Sequence, residues 1–226
     1  MKGLTNNQLK ILALIFMTLD HAGMILSPWS GWYRIVGRLA FPIFAYMIAE
    51  GCRYTRNMGK YLGIMALLAV GCQLVDYFER GTLYQGILVT FSLSIGLIWL
   101  LQMAQKKHNF LWIALGVLGV GTAYFLCEVL PELLPRTDLH VDYGFIGVMV
   151  PVAVYLGRNK WEKLLLLTLA LAALSYNLVS IQWYCLLAVP LLALYNGQRG
   201  KWKMKWLFYI YYPLHLAVIY GIGNLL

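Results

Sequence analysis

Asp20, His21, Arg38, Glu50 and His215 are five ionisable side chains set inside or at the ends of long apolar runs. A charged or titrating group in hydrocarbon is costly unless it is paired or hydrated, so each is a candidate for chemistry or proton movement. An imidazole changes charge near neutral pH, which suits His21 and His215 to take up and release a proton. Asp20 and Arg38 carry opposite charges and neutralise one another if they meet. Asp20 and His21 are neighbours in sequence but point about 100° apart on a helix, so they cannot pair with each other. Each needs a partner on another helix. The least costly pairing is Asp20 with Arg38, which leaves His21 facing a cavity with His215 as its neighbour.

The elements that hold these residues follow from composition. The 226 residues are 61% hydrophobic and 12% charged, with a mean hydropathy of +0.69, whereas soluble domains carry about 25% charged residues. A chain of this length cannot hide so much apolar surface in a core of its own, and the excess faces lipid. Runs of membrane-crossing length fall near Lys10–Leu26, Arg34–Cys52, Lys60–Val75, Leu83–Met103, Phe110–Leu130, Tyr143–Gly157, Lys163–Leu178, Ile181–Tyr195 and Lys205–Ile222. The expectation is an all-α, polytopic transmembrane helix bundle of about nine spans in a single domain, residues 1–226. The first run has no small-residue cleavage site after it and is read as a retained span. The break between the seventh and eighth runs, Ser175 to Ser180, is poor, and these two could form a hairpin that does not cross fully.

The net charge of +9 is distributed as membrane topology requires rather than as a nucleic-acid patch. Fourteen of the eighteen Lys and Arg lie on one set of flanks: Lys2, Lys10, Arg53, Arg56, Lys60, Lys106, Lys107, Arg158, Lys160, Lys163, Arg199, Lys201, Lys203 and Lys205. The alternate flanks hold Arg34, Arg80 and Arg136 with six carboxylates. Cytoplasmic loops retain positive charge, which puts the N-terminus in the cytoplasm. Cys52, Cys72, Cys127 and Cys185 lack metal-ligand spacing and read as small buried hydrophobes.

At about 1.5 Å per residue, Asp20 stands roughly 15 Å above Lys10, near the middle of a core about 30 Å thick. His215 stands ten residues above Lys205 and reaches the same level, while Arg38 lies roughly 6 Å below the outer boundary. These residues meet only if the first, second and ninth spans pack together. Pro42 frees the carbonyl of Arg38 and Pro213 that of Tyr209, so both spans are expected to kink.

Leu9-Lys10-Ile11, Leu19-Asp20-His21-Ala22-Gly23 and Gly37-Arg38-Leu39-Ala40-Phe41-Pro42-Ile43-Phe44 resemble the opening blocks of the TraX family, membrane proteins named for the conjugative pilin N-acetylase. So do Ala49-Glu50-Gly51, Tyr54-Thr55-Arg56-Asn57 and Lys60-Tyr61, and near the end Leu194-Tyr195-Asn196-Gly197-Gln198-Arg199-Gly200 and Tyr211-Tyr212-Pro213-Leu214-His215-Leu216. The resemblance implies a bacterial inner-membrane acyltransferase, similar in style to the lysosomal enzyme that acetylates heparan glucosamine. Such an enzyme moves an acetyl group from cytoplasmic acetyl-CoA to an amine or hydroxyl acceptor (a protein N-terminus, peptide or glycan) reached from the other side of the membrane.

Acyl transfer needs a base, oxyanion donors and a place for the CoA phosphates. His21 is then the general base or a transient acyl carrier. His215, Arg38 and Tyr212 support the oxyanion or orient the base, and Asp20 holds Arg38 or an imidazole. Arg53, Arg56, Asn57 and Lys60, with Asn196 and Arg199, are the candidates for the CoA phosphates. The rival reading is a proton-coupled membrane transporter, since midplane His, Asp and Arg also build proton relays.

Overall fold

The computed structural model describes residues 3–26, 31–178, 180–201 and 205–223. Lys2, Lys203 and, in the break after the seventh run, Val179 lie outside them. The helices are α1 (Asn6–Ile25), α2 (Gly31–Gly37), α3 (Ala40–Tyr54), α4 (Met58–Arg80), α5 (Ile87–Lys107) and α6 (Phe110–Tyr124). A π-helical turn (Phe125–Val129) joins α6 to α7 (Leu130–Leu133). There follow α8 (Gly144–Leu156), α9 (Lys160–Asn177), a 3-10 helix (Ser180–Leu187) running into α10 (Ala188–Ala193), and α11 (Lys205–Gly223). Among the described residues these join into nine helical segments in the order of the nine apolar runs, and the fold is all-α, with two isolated β-bridges and no strand. Five segments are long and apolar enough to cross a membrane: Asn6–Ile25, Gly31–Tyr54, Met58–Glu79, Ile87–Lys107 and Phe110–Leu133.

Local chemistry sets the helix ends. Thr5 closes a capping box with Gln8 at the head of α1, and Asn57, Asn109 and Asn159 cap α4, α6 and α9 through their side chains. Each cap satisfies donors that have no partner inside the helix. The kink expected at Pro42 is a full break, with Arg38 and Leu39 in a turn between α2 and α3. Pro42 consequently sits in the first turn of α3, where a missing N–H costs nothing. Pro213, by contrast, lies inside a continuous α11. The eighth segment is short in residues but not in reach: eight 3-10 residues at about 2.0 Å and six α residues at about 1.5 Å extend roughly 25 Å.

The chain divides into two compact units, Met1–Met47 with Asn159–Leu226, and Ile48–Arg158. In the first, α1 packs on both α2 and α11, and α2 packs on the 3-10 helix. Its core includes Leu14, Met17 and Ala40, with Phe16, Phe44, Tyr211 and Tyr212 against them. In the second, α5 packs against α4, α6 and α8. Ser94 Oγ donates to the Val148 carbonyl at 2.7 Å, and Thr90 Oγ1 to the Asp142 carbonyl at 2.7 Å, among buried Ile95, Ile98, Val148 and Val154. All four cysteines are buried and free.

Candidate active site in the first unit

The packing of α1, α2 and α11 brings two polar pairs together. His215 Nε2 lies 3.1 Å from His21 Nδ1, with ring centroids 5.0 Å apart. One step earlier on α1, Asp20 Oδ1 lies 3.5 Å from Arg38 Nη2 and 3.5 Å from Arg34 Nη1. Consecutive residues of α1 thus serve different partners, as their angular offset demands. The level reached by counting residues from Lys10 and from Lys205 is the same for both histidines, and the imidazole contact realises it.

The hydrogen bonds fix which nitrogens carry protons. His21 Nδ1 sits 3.0 Å from the Met17 carbonyl and His215 Nδ1 sits 3.0 Å from the Tyr211 carbonyl, each one helical turn back. A carbonyl oxygen only accepts, so in the neutral pair each Nδ1 carries the proton. His215 Nε2 is then a lone-pair acceptor for His21 Nδ1–H, which it shares with the Met17 carbonyl. The remaining basic nitrogen of His21 is Nε2.

Two aromatic rings pack against His215, and a threonine fixes one of them. The Tyr211 ring stacks on its imidazole at 5.5 Å with 9° between planes, and the Tyr212 ring meets it edge-on at 5.3 Å. Thr18 Oγ1 donates to the Leu14 carbonyl at 2.8 Å, so the Tyr211 hydroxyl, 2.7 Å away, donates to Thr18. The phenol therefore ties α11 to α1 beside the histidines.

Around Asp20 stand two partners and one spatial requirement that the sequence does not announce. Arg34, placed by its position among the outer flanks, is a second cation on the same carboxylate oxygen. Gln182, on the 3-10 helix, accepts from Arg38 Nη1 at 3.3 Å. Gly37 is buried, and a Cβ there would overlap Asp20 Cβ and stand 2.6 Å from its Oδ1. The glycine is what lets α2 approach the carboxylate. A glycine next to the arginine of the Gly37-Arg38 block was the available signal.

The residues considered for CoA phosphates divide by what their polar groups already do. In the second unit, Arg53 Nη2 donates to the Tyr155 and Gly157 carbonyls at 2.6 and 2.8 Å, and the guanidinium lies 5.1 Å from the Tyr155 ring. It caps the C-terminal end of α8, where a cation meets the negative end of the helix dipole. Asn57 Oδ1 accepts from the Lys60 N–H at 2.8 Å as the α4 cap. Arg56 and Lys60 are exposed, and Glu50 is buried on α3.

In the first unit, Asn196 Oδ1 accepts from the Gln198 N–H at 2.9 Å and its Nδ2 donates to the Gly3 carbonyl at 3.3 Å. The Leu194–Gly200 segment is a strap along the head of α1: Gln198 and Arg199 carbonyls accept from Asn6 and Asn7 N–H, and Leu4 exchanges backbone bonds with Leu194 and Asn196. Gly197 and Gly200 take φ of +76° and +93° to turn it. The Arg199 side chain is exposed.

The family described as TraX protein matches residues 5–223. The chain is 25% identical to a Dichelobacter nodosus protein named "Probable fimbrial assembly protein FimC, serogroup H1", over 94% of this chain and 93% of that one. It is 26% identical to Protein TraX of Escherichia coli (strain K12), over 93% of this chain and 84% of the relative. No solved structure matches it. With one family covering all but the ends of the sequence, and with five helices fit to cross a membrane, the chain belongs to the TraX family and is a multi-pass membrane protein.

Proposed function

We propose that this protein is an integral-membrane acetyltransferase, which takes the acetyl group of acetyl-CoA and passes it to an amine or hydroxyl acceptor, with His21 as general base. The observation that carries this reading is the tautomer-locked contact of His21 with His215. As the acceptor attacks the thioester carbonyl, His21 Nε2 takes its proton. The imidazolium so formed keeps Nδ1–H between the Met17 carbonyl and the lone pair of His215 Nε2. That bond strengthens when its donor gains charge, so it stabilises the transition state more than the ground state. The proton returns to the departing CoA thiolate, and the acetyl group ends on the acceptor.

Arg38 and Tyr212 are the donors of this unit to support the carbonyl oxygen as it gains charge. Asp20 acts as the counter-ion that keeps Arg38 folded into the span. For the acyl donor, exposed Arg56 and Lys60 in the second unit, or exposed Arg199 in the first, are the cations available to a polyphosphate. Arg53 and Asn196, whose polar groups close a helix end and a turn, act by shaping those segments. We assign the basic flanks and the N-terminus to the cytoplasm of a bacterial inner membrane, so acetyl-CoA arrives on that side and the acceptor on the other.

The reading is tested by incubating detergent-purified protein with acetyl-CoA and titrating free thiol. Release of CoA above a heat-inactivated control, increased by a primary-amine acceptor, is the expected result. No release with any amine or hydroxyl acceptor, together with proton uptake in proteoliposomes, would replace the enzyme by a proton-coupled transporter.

A further inference from the structure

Arg34 and Arg38 approach the same oxygen of Asp20 at 3.5 Å each, outside the roughly 2.7–2.9 Å of a charge-assisted hydrogen bond. That oxygen is buried and accepts no hydrogen bond. The two guanidinium groups are neutralised in part by the carboxylate but do not close on it. Beside them Gln182 is 1% exposed, its Oε1 is taken by Arg38, and its buried Nε2 has only the Cys185 thiol, a weak acceptor, to donate to. A buried amide donor left in that state recovers little of its lost hydration, and an oxygen acceptor brought to it recovers more.

The first unit has little negative charge to supply. Its acidic residues are Asp20 and Glu162, and the Glu162 carboxylate accepts from Asn159 Nδ2 at the head of α9. Two guanidinium charges therefore face one carboxylate at Asp20. The cluster is also reachable, since the Arg34 side chain retains 29% of its exposure against 12% for Arg38. Two residues before Arg34, Trp32 is exposed and stacks on Tyr33, the aromatic character of a membrane–water interface.

We propose that Arg34, Arg38 and Gln182 form a subsite for an anionic oxygen group, a phosphate or a carboxylate. Planar guanidinium forks recognise such groups in a bidentate manner that an ammonium cannot. Arg34 admits the group from the interface, Gln182 Nε2 supplies the buried donor, and Asp20 offsets the mutual repulsion of the arginines when the subsite is empty. The group belongs either to a soluble molecule that enters beside the histidines or to a lipid headgroup. The subsite is read by binding and does not depend on the acetyltransferase reading.

The test uses full-length protein in maltoside detergent at constant ionic strength, with thermal unfolding followed by tryptophan fluorescence. Chloride is exchanged for inorganic phosphate or acetate in one arm, and short-chain phosphatidic acid is compared with short-chain diacylglycerol in the other. At least one anion should raise the unfolding midpoint saturably above the chloride baseline. In Arg34→Gln and in Gln182→Leu the half-saturating concentration should rise about tenfold or more, and Arg34→Lys should restore only part of it. A response confined to phosphate or acetate identifies a soluble ligand, one confined to phosphatidic acid a lipid phosphate, and either supports the subsite. Should Arg34→Gln not elute as a folded monodisperse species, Gln182→Leu alone decides. Indifference to all the anions, or an undiminished response in Gln182→Leu, overturns the proposal.

Discussion

α1 and the Phe110–Leu133 segment are both long and apolar enough to cross a membrane, with 20 and 24 residues, yet they spend their side chains differently. In the Phe110–Leu133 segment only 11% of the apolar window is buried, and Phe110, Leu111, Ile113, Val117 and Leu118 are exposed. From Phe110 to Val120 every side chain is apolar or absent, which is all that lipid asks. α1 carries Thr18, Asp20 and His21, and each meets a partner from α2 or α11. A membrane helix that serves only as a wall tolerates exchange of one apolar residue for another. One that holds a polar cluster is constrained at each contact, because a partner left alone inside the membrane has no water to turn to.

That contrast is broken most severely at the histidine pair. His215→Ala removes the acceptor of His21 Nδ1–H, and acetyl transfer should fall about 10²-fold, measured by radiolabel incorporation in membranes. Leu118→Ala on the lipid-facing segment should leave the rate within about twofold, its stability effect being that of an ordinary surface substitution. Next in size is Gly37→Ala, which drives a methyl group into Asp20. A loss of about 1–3 kcal/mol is expected, seen as a lower unfolding midpoint in detergent, whereas Gly116→Ala, where a Cβ meets open space, should not lower it. The smallest effect belongs to Tyr211→Phe, which keeps the ring stacked on His215 and deletes the bond to Thr18. One hydrogen bond of about 1 kcal/mol corresponds to roughly fivefold in rate, and Thr18→Val should give a similar loss without adding to it.

Much of this architecture is legible in the sequence, for physical reasons that also mark where legibility ends. The nine segments are visible because lipid demands continuous apolar runs, and basic flanks punctuate them. The contacts of Asp20 with Arg38 and of His21 with His215 follow from charge neutralisation and equal depth. The 3-10 geometry of Ser180–Leu187 is hidden, since in a run apolar on most sides no periodicity distinguishes three residues per turn from 3.6. Arg34 is hidden because an arginine at a span boundary already has a reason to be there. Gln182 is uncharged and leaves no imbalance to resolve, and Tyr211 is one of sixteen tyrosines. Arg53 and Asn196 are attractive phosphate ligands by type, but the helix end and strap that occupy them exist only in three dimensions.

The central claim is that His21 Nε2 is the base of an acetyl transfer. It is tested most directly by supplying radiolabelled acetyl-CoA to membranes that contain wild-type protein or His21→Ala at matched, folded levels, and counting label on endogenous acceptors. The account predicts transfer by the wild type and a loss of about 10²-fold or more in the variant, with size-exclusion behaviour unchanged. Equal incorporation by the two proteins would contradict it.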